Sequence, residues 1–230
     1  SDRAGEVLVI GGRYGLSSKD TDTAQIVAVF ENLAAPDPVR GFTVGITDDV
    51  TGLSLPVHAL EDFDDADTYS CKFWGLGGDG TVGANHNTIR ILADCADMFA
   101  QAYFEYDSKK SFGVTKSHLR LSKKPIRSTY YVKRADFVAC HNQSYVHQYD
   151  MVGEVKPGGT FLLNTSWTAE ELDANLPAAM KREIARKHIR LFTVDAIEIA
   201  NRLGLGSHIN TVLHSSKSQG SCPQKRRLHA

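Results

Sequence analysis

Cys71-Lys72-Phe73-Trp74-Gly75-Leu76-Gly77-Gly78-Asp79-Gly80-Thr81-Val82-Gly83-Ala84-Asn85 is the stretch from which the fold is read. A short apolar run leads in, a glycine-dense loop with the spacing Gly75-x-Gly77-x-x-Gly80 forms the middle, and a segment of helical periodicity leads out. That order predicts a strand, a phosphate-binding turn and a helix. Glycines let the backbone take positive φ and let its N–H groups approach a ligand closely, while the positive end of the following helix favours an anion. The spacing by itself equally fits a turn that only packs tightly, so the surrounding chain must decide.

Downstream, Ile89, Leu92, Ala96 and Phe99 recur at helical steps, which sets the loop at the N-terminus of an amphipathic helix. Ala102–Tyr106 reads as an aromatic-rich strand ending in Asp107-Ser108-Lys109-Lys110. Ser117–Leu121, Arg127–Val132 and Phe137–Cys140 are further short strand candidates, the last opening into His141-Asn142-Gln143-Ser144. A Pro157-Gly158-Gly159 turn precedes the apolar strand Thr160–Asn164. Thr168 and Glu171 have capping-box spacing, and Pro177 can open a helix with Met180 and Ile184 on its inner face. Ile189–Val194 is a strand, and Asp195 caps a helix that points Ile199, Ala200 and Leu203 to the core before Gly204 stops it. Strands alternating with helices predict an α/β class, a layered Rossmann-like domain on a mostly parallel sheet. Ligands bind beyond the carboxyl ends of such strands, which singles out the loops Gly75–Gly80, Asp107–Lys110 and His141–Ser144.

Upstream, Val7–Ile10 reads as a strand, Ile26, Val29, Phe30 and Leu33 mark a helix, and Phe42–Ile46 is a second strand. Glu61–Asp67 holds five acidic residues in seven positions, the composition of a solvated connector. The expected organisation is a partial α/β segment at 1–66, the layered domain at 67–213 and a tail at 214–230. The tail is too polar to bury a helical face and is expected to be disordered. Ser1 in place of an initiator methionine, and the immediate entry into Val7–Ile10, predict a piece of a larger polypeptide.

Among 230 residues, 42% are hydrophobic and 23% charged, with a net charge of -1, which offers no basic surface for nucleic acid and no polybasic membrane face. No apolar run approaches the roughly 20 residues of a membrane span, and a cytoplasmic location is expected. Cys71, Cys95, Cys140 and Cys222 are scattered, without the clustering of an iron–sulfur site, and the histidines show no metal-ligand spacing. No metal ligand is assigned.

Asp107 lies 27 residues beyond Gly80, a tolerable place for an acid that takes ribose hydroxyls. Ser108, Lys109 and Lys110 add a hydroxyl and two ammonium groups suited to a further phosphate. A nucleotide phosphorylated on its ribose follows, which fits NADP or coenzyme A. Asn142 and Gln143 are neutral hydrogen-bonding groups for a bound ligand. His141 has no nucleophile beside it and is read as a structural hydrogen-bonding group, so no catalytic residue is assigned. Trp74 and Trp167 are read as packing against the sheet.

Several segments together resemble the pyruvate:ferredoxin (flavodoxin) oxidoreductases. They are Gly12–Leu16, Phe42–Ile46 with Asp48–Thr51, Phe73–Asn85, Tyr106–Lys110, Lys124–Tyr130 and Ala135–Tyr145. The resemblance implies the end of a transketolase C-terminal-like domain followed by a gamma-type 2-oxoacid oxidoreductase domain associated with coenzyme A. By the same resemblance the complete enzyme is expected to be a homodimer, to carry thiamine diphosphate and [4Fe-4S] clusters and to pass electrons to ferredoxin or flavodoxin. Gly77, Gly78, Asp79, Gly80 and Thr81 would then lie by the coenzyme, Ser108, Lys109 and Lys110 would meet its phosphates, and Asn142 and Gln143 would flank its path. The thiamine and cluster domains are missing here, so this chain alone is not expected to turn over pyruvate. The remaining alternatives are an NADP-dependent oxidoreductase domain and a structural module whose glycine turn binds nothing.

Overall fold

The computed structural model describes residues 8–15, 21–46, 49–58, 67–96, 98–106 and 113–204, and for 91–96 the backbone alone. The chain divides into two compact units, Ser1–Phe63 and Asp64–Ala230. Val7, Ser108, Lys109, Lys110 and the 214–230 tail lie outside the described residues.

In the first unit, β1 (Gly12–Arg13) pairs in parallel with β2 (Phe42–Thr43). Helix α1 (Thr23–Ala34) connects them, opened by Asp22, whose Oδ1 accepts from the Gln25 amide at 2.9 Å. Ala28, Phe42, Val44 and Leu55 form its core. Both strands are shorter than expected, and residues 8–10 are not strand. Pairing starts at Gly12 because the Phe42 ring lies where a side chain would stand, 2.2 Å from an added Cβ. Ile26, Phe30 and Leu33, the apolar stripe of α1, are exposed, and the helix buries Ala28 and Asn32 instead.

The second unit is a six-stranded sheet in the order β4-β5-β3-β6-β7-β8. The strands are β3 (Tyr69–Leu76), β4 (Phe99–Tyr106), β5 (Val114–Ser122), β6 (Ala135–Cys140), β7 (Val155–Asn164) and β8 (Arg190–Val194). β3, β6, β7 and β8 are parallel, and β5 runs antiparallel to both β3 and β4, so the sheet is mostly parallel as expected. β5 is reversed because a short connection, too brief for a crossover, returns the chain from β4.

Helices cover both faces. On one, Ile89 of α2 (Thr81–Ala96) packs on Cys71, Phe73, Leu119, Phe137 and Leu162, and Ala196 and Ala200 of α5 (Ala196–Arg202) pack with Val194. On the other, Leu172 and Leu176 around α3 (Ala169–Asn175) and Met180 and Ile184 of α4 (Ala178–Arg186) cover Val138, Phe161 and Leu163. The Thr168–Glu171 capping box forms, with both reciprocal bonds present. Gly204 takes a φ of +68° just past α5.

Three details differ from the sequence expectation. Phe99 opens β4 rather than extending α2, which ends at Ala96. Leu203 is exposed, because α5 is only seven residues long and buries its alanines. Residues 127–132 form no strand, because sheet side chains take the backbone groups that a ladder would use.

Candidate functional site

β3 and β6 are parallel neighbours, yet the chain leaves them in opposite directions. From β3 it turns through Gly77–Gly80 into α2 and on to β4. From β6 it turns through His141 into a 3₁₀ turn (Gln143–His147) and on to β7. α2 lies on one face of the sheet, and the Tyr145–Val152 segment packs on the other. The carboxyl ends of β3 and β6 therefore flank the divide at which an open α/β sheet presents its ligand crevice.

The glycine loop is closed largely by its own residues. Asp79 Oδ2 accepts from the Leu76 amide at 2.8 Å and Oδ1 from the Thr81 amide at 2.7 Å. The Gly77 amide donates to the Gly113 carbonyl at 2.8 Å, and the Asp79 amide to the Leu76 carbonyl at 3.0 Å. Gly78 and Gly80 take φ of +88° and +79°, which a side chain would strain. Gly75 is required for a different reason: a Cβ there would stand 2.7 Å from Thr81 Oγ1 and 3.0 Å from Asp79 Oδ2. The expectation that a run of loop amides faces a phosphate thus changes in detail. The Asp79 carboxylate already occupies two of them, and none of the described residues accepts from the amides of Gly78 and Gly80.

Thr81 ties this loop to the next one. Its buried hydroxyl lies 2.7 Å from His141 Nδ1, and the His141 amide donates to the Trp74 carbonyl at 2.9 Å. His141 is thus a hydrogen-bonded bridge between two strand ends. Asn142 Oδ1 accepts from Ser144, 3.1 Å from its amide and 2.9 Å from its hydroxyl, and so caps the 3₁₀ turn. Gln143 Oε1 accepts from Thr165 Oγ1 at 2.7 Å. The carbonyl oxygens of both amide side chains are engaged, which points the loop's remaining polarity to their –NH₂ donors. Burial pushes the Cys140 thiol up to about 12, so it is no nucleophile at neutral pH.

Asn164 and Thr165, at the end of β7, were not singled out in the sequence. Asn164 Nδ2 donates to the His141 carbonyl at 3.0 Å while its Oδ1 accepts from the Ala196 amide at 3.0 Å, so one buried side chain braces two loops. The available signal was position, since Asn164 is the polar residue that closes an apolar parallel strand. Ser108, Lys109 and Lys110 fall outside the described residues, but the flanking Tyr106 and Gly113 end and begin at the glycine loop's side of the sheet, Gly113 bonded to Gly77. Among the described residues, no group of three or more His, Cys, Asp or Glu could hold a metal ion, and no helix is long and apolar enough to cross a membrane.

This architecture is shared with subunits of 2-oxoacid oxidoreductases. A pyruvate oxidoreductase subunit from Thermotoga maritima superposes with a TM-score of 0.52 at 16% identity, covering 67% of this chain and 77% of that chain. A keto/oxoacid ferredoxin oxidoreductase gamma subunit from Geobacter sulfurreducens gives a TM-score of 0.52 at 19% identity, over 68% of this chain and 77% of that one. The chain therefore shares its fold with these oxidoreductase subunits. The model of the pyruvate ferredoxin/flavodoxin oxidoreductase family matches residues 70–216, well over half of the chain, and the chain belongs to that family. It is 55% identical to the pyruvate:ferredoxin oxidoreductase of Moorella thermoacetica and 54% identical to the pyruvate-flavodoxin oxidoreductase of Enterobacter agglomerans, in each case over 91% of this chain and 18% of the relative. It is also 49% identical to the mitochondrial pyruvate dehydrogenase [NADP(+)] of Euglena gracilis, over 91% of this chain and 12% of the relative. The chain spans less than a fifth of the length of these relatives.

Proposed function

We propose that this chain is the coenzyme A-binding portion of a pyruvate:ferredoxin or pyruvate:flavodoxin oxidoreductase, which in complete form decarboxylates pyruvate oxidatively to acetyl-coenzyme A. The observation that carries this reading is the convergence at the β3–β6 divide, where Thr81 and His141 join the glycine loop to the Asn142–Gln143 corner. Gly77, Gly78, Gly80 and Thr81 form the wall against the coenzyme, and Asp79 shapes that wall from within. Ser108, Lys109 and Lys110 take the ribose phosphate, and the amides of Asn142 and Gln143 flank the path of the thiol arm. Thiamine diphosphate, [4Fe-4S] clusters, the docking of ferredoxin or flavodoxin and homodimer contacts belong to the rest of the polypeptide. A 2-oxoglutarate:ferredoxin oxidoreductase from Magnetococcus marinus, solved with coenzyme A and succinyl-CoA bound, has this fold at a TM-score of 0.50 and 14% identity, which supports the choice of ligand.

The rival reading gives the same loops to NADP. The Euglena relative named for NADP(+) supports a different division of labour. The matched stretch is 12% of it and 18% of the Moorella enzyme, so the NADP(+) protein is about half as long again while sharing this region. Choice of electron acceptor then resides in the added length. Calorimetric titration with coenzyme A, dephospho-coenzyme A and NADPH tests the proposal. Coenzyme A should bind at least about tenfold more tightly than NADPH, a gap of about 1.4 kcal/mol. The reverse order transfers the site to NADP, and no binding by any nucleotide leaves a structural module. Lys109→Ala with Lys110→Ala should weaken coenzyme A more than dephospho-coenzyme A, and equal losses would remove the ribose phosphate from that loop.

A further inference from the structure

Between β5 and β6 the chain must pass β3, and it does so without a helix. Residues 123–134 form a strap pinned at alternate positions by side chains of the sheet. Gln101 Nε2 donates to the Ser128 carbonyl at 2.6 Å and Arg120 Nη1 to the Tyr130 carbonyl at 2.7 Å. The third pin runs the other way, from the Val132 amide to Nδ1 of His118 at 3.2 Å. His118 is 2% exposed, and its ring stacks on Tyr131 at 4.6 Å. Because Nδ1 accepts, the proton of the neutral ring sits on Nε2, which faces the Glu105 carboxylate at 3.5 Å. A proton on Nδ1 would set two donors against each other and leave the Val132 amide without an acceptor in a buried layer.

We propose that His118 is a proton-operated clasp: in its neutral form it fastens the strap to the sheet, and its protonation releases the Val132 end. The charged and titratable groups around it come from every packed element. Lys72 faces it from β3, Glu105 and Tyr103 from β4, Lys116 and Arg120 from β5 itself, and Tyr131 from the strap. Glu154 stands behind Lys72, to which it is paired at 2.6 Å. Burial first, then the ammonium groups of Lys72 and Lys116, hold the His118 imidazole below its ordinary value of 6.5, against the opposing pull of Glu105. An opened strap binds the proton more readily than a closed one, so the attachment is complete above about 6.5 and is lost as pH falls from there. The strap feeds β6, whose far end carries His141, Asn142 and Gln143, and the clasp is independent of which nucleotide binds there.

Amide hydrogen exchange of the full 230-residue chain, corrected for intrinsic rates, reads the clasp directly. Protection of the Val132 amide should fall by several-fold, up to about tenfold, between about pH 7.5 and 5.5 while that of Val138 in the sheet holds. His118→Asn keeps an acceptor near the Nδ1 position but cannot titrate, and should abolish that fall. Glu105→Gln removes the group that eases protonation of the closed form, and should deepen the fall without moving its onset near 6.5. The proposal is overturned if Val132 and Val138 lose protection together, if Val132 does not respond to pH, or if Glu105→Gln makes the fall shallower. A δ-protonated tautomer at about pH 7.5, read from the ring nitrogen shifts of the unmutated chain, would overturn it without any variant.

Discussion

One row of side chains crosses the whole sheet on a single face and changes character halfway. Tyr103, His118 and Lys72 stand opposite one another on β4, β5 and β3, and the row continues as Val138, Phe161 and Leu191 on β6, β7 and β8. The apolar half is sealed by α3, α4 and the Tyr145–Val152 segment, with Val138 and Phe161 at 0% exposure. The charged half is sealed as well, with Lys72 at 5% and Arg120 at 1%, but by the strap and by paired charges. Trp74 sits at the seam. Its ring packs on Tyr149 on the apolar side, its Nε1 donates to Glu154 at 3.2 Å, and the Lys72 and Lys116 ammonium groups lie about 5 Å from its centroid, at 5.2 and 4.8 Å. The central side chains of both halves are buried, but they are held in different ways. The first is stabilised by the area it buries, whereas the second must satisfy each polar group it encloses.

The largest expected effect belongs to the apolar half. Phe161→Ala should cost about 3–5 kcal/mol in denaturant unfolding, because the closed layer cannot collapse onto the gap. A loss under about 1 kcal/mol would mean that this half repacks freely, and the contrast would fail. Next comes the buried pair. Glu154→Ala strands the Lys72 ammonium and the Trp74 indole N–H together, with a loss of about 3 kcal/mol. Burial pushes Glu154 up and Lys72 down, so the ionic pair is held against desolvation. Lys72→Met with Glu154→Gln, which keeps an acceptor for the Trp74 indole N–H, should therefore fall within about 1 kcal/mol of the parent. If the double change is as damaging as Glu154→Ala, the ionic half depends on charge itself and not only on satisfied partners.

Acid titration separates the halves more gently. His118 holds the Glu105 carboxyl down to about 2, with Lys116 helping. Its folded value lies below the unfolded one, so the stability it brings is present above about 4.5 and is lost as pH falls toward about 2. Glu105→Gln should flatten that limb of the melting temperature against pH, and an unchanged limb would assign it to other carboxyls. The smallest effect is a control on the cover of the apolar half. Thr168→Ala removes the capping box of α3 and should cost about 1 kcal/mol by the same unfolding measurement, without altering pH dependence.

The alternation Cys71-Lys72-Phe73 and Leu119-Arg120-Leu121 makes legible which residues share a face. It conveys nothing of what lies over the polar face, and a charged residue at every second position of a strand ordinarily faces water. Arg127–Val132 misled for a related reason. Its residues favour extended backbone, but its partners are the side chains of Gln101 on β4 and of Arg120 and His118 on β5, at separations that follow no local pattern. At the site, the glycines of the loop announced themselves by spacing. The role of Asp79 as their internal partner did not, because two acceptor bonds to Leu76 and Thr81 exist only once the turn has closed. Asn164 was hidden in the same way, its two partners lying 23 and 32 residues distant along the chain.

The amino-acid sequence by itself determined the α/β class, the order of its elements, the family and the glycine turn before α2, because periodicity, capping and turn chemistry act over a few residues at a time. Tertiary structure alone decided the reversal of β5, the burial of Lys72, His118 and Arg120 beneath the strap, and the filling of the loop's amides by Asp79. Those outcomes depend on which distant groups meet, and a buried charge or amide is tolerated only where the folded chain supplies its partner.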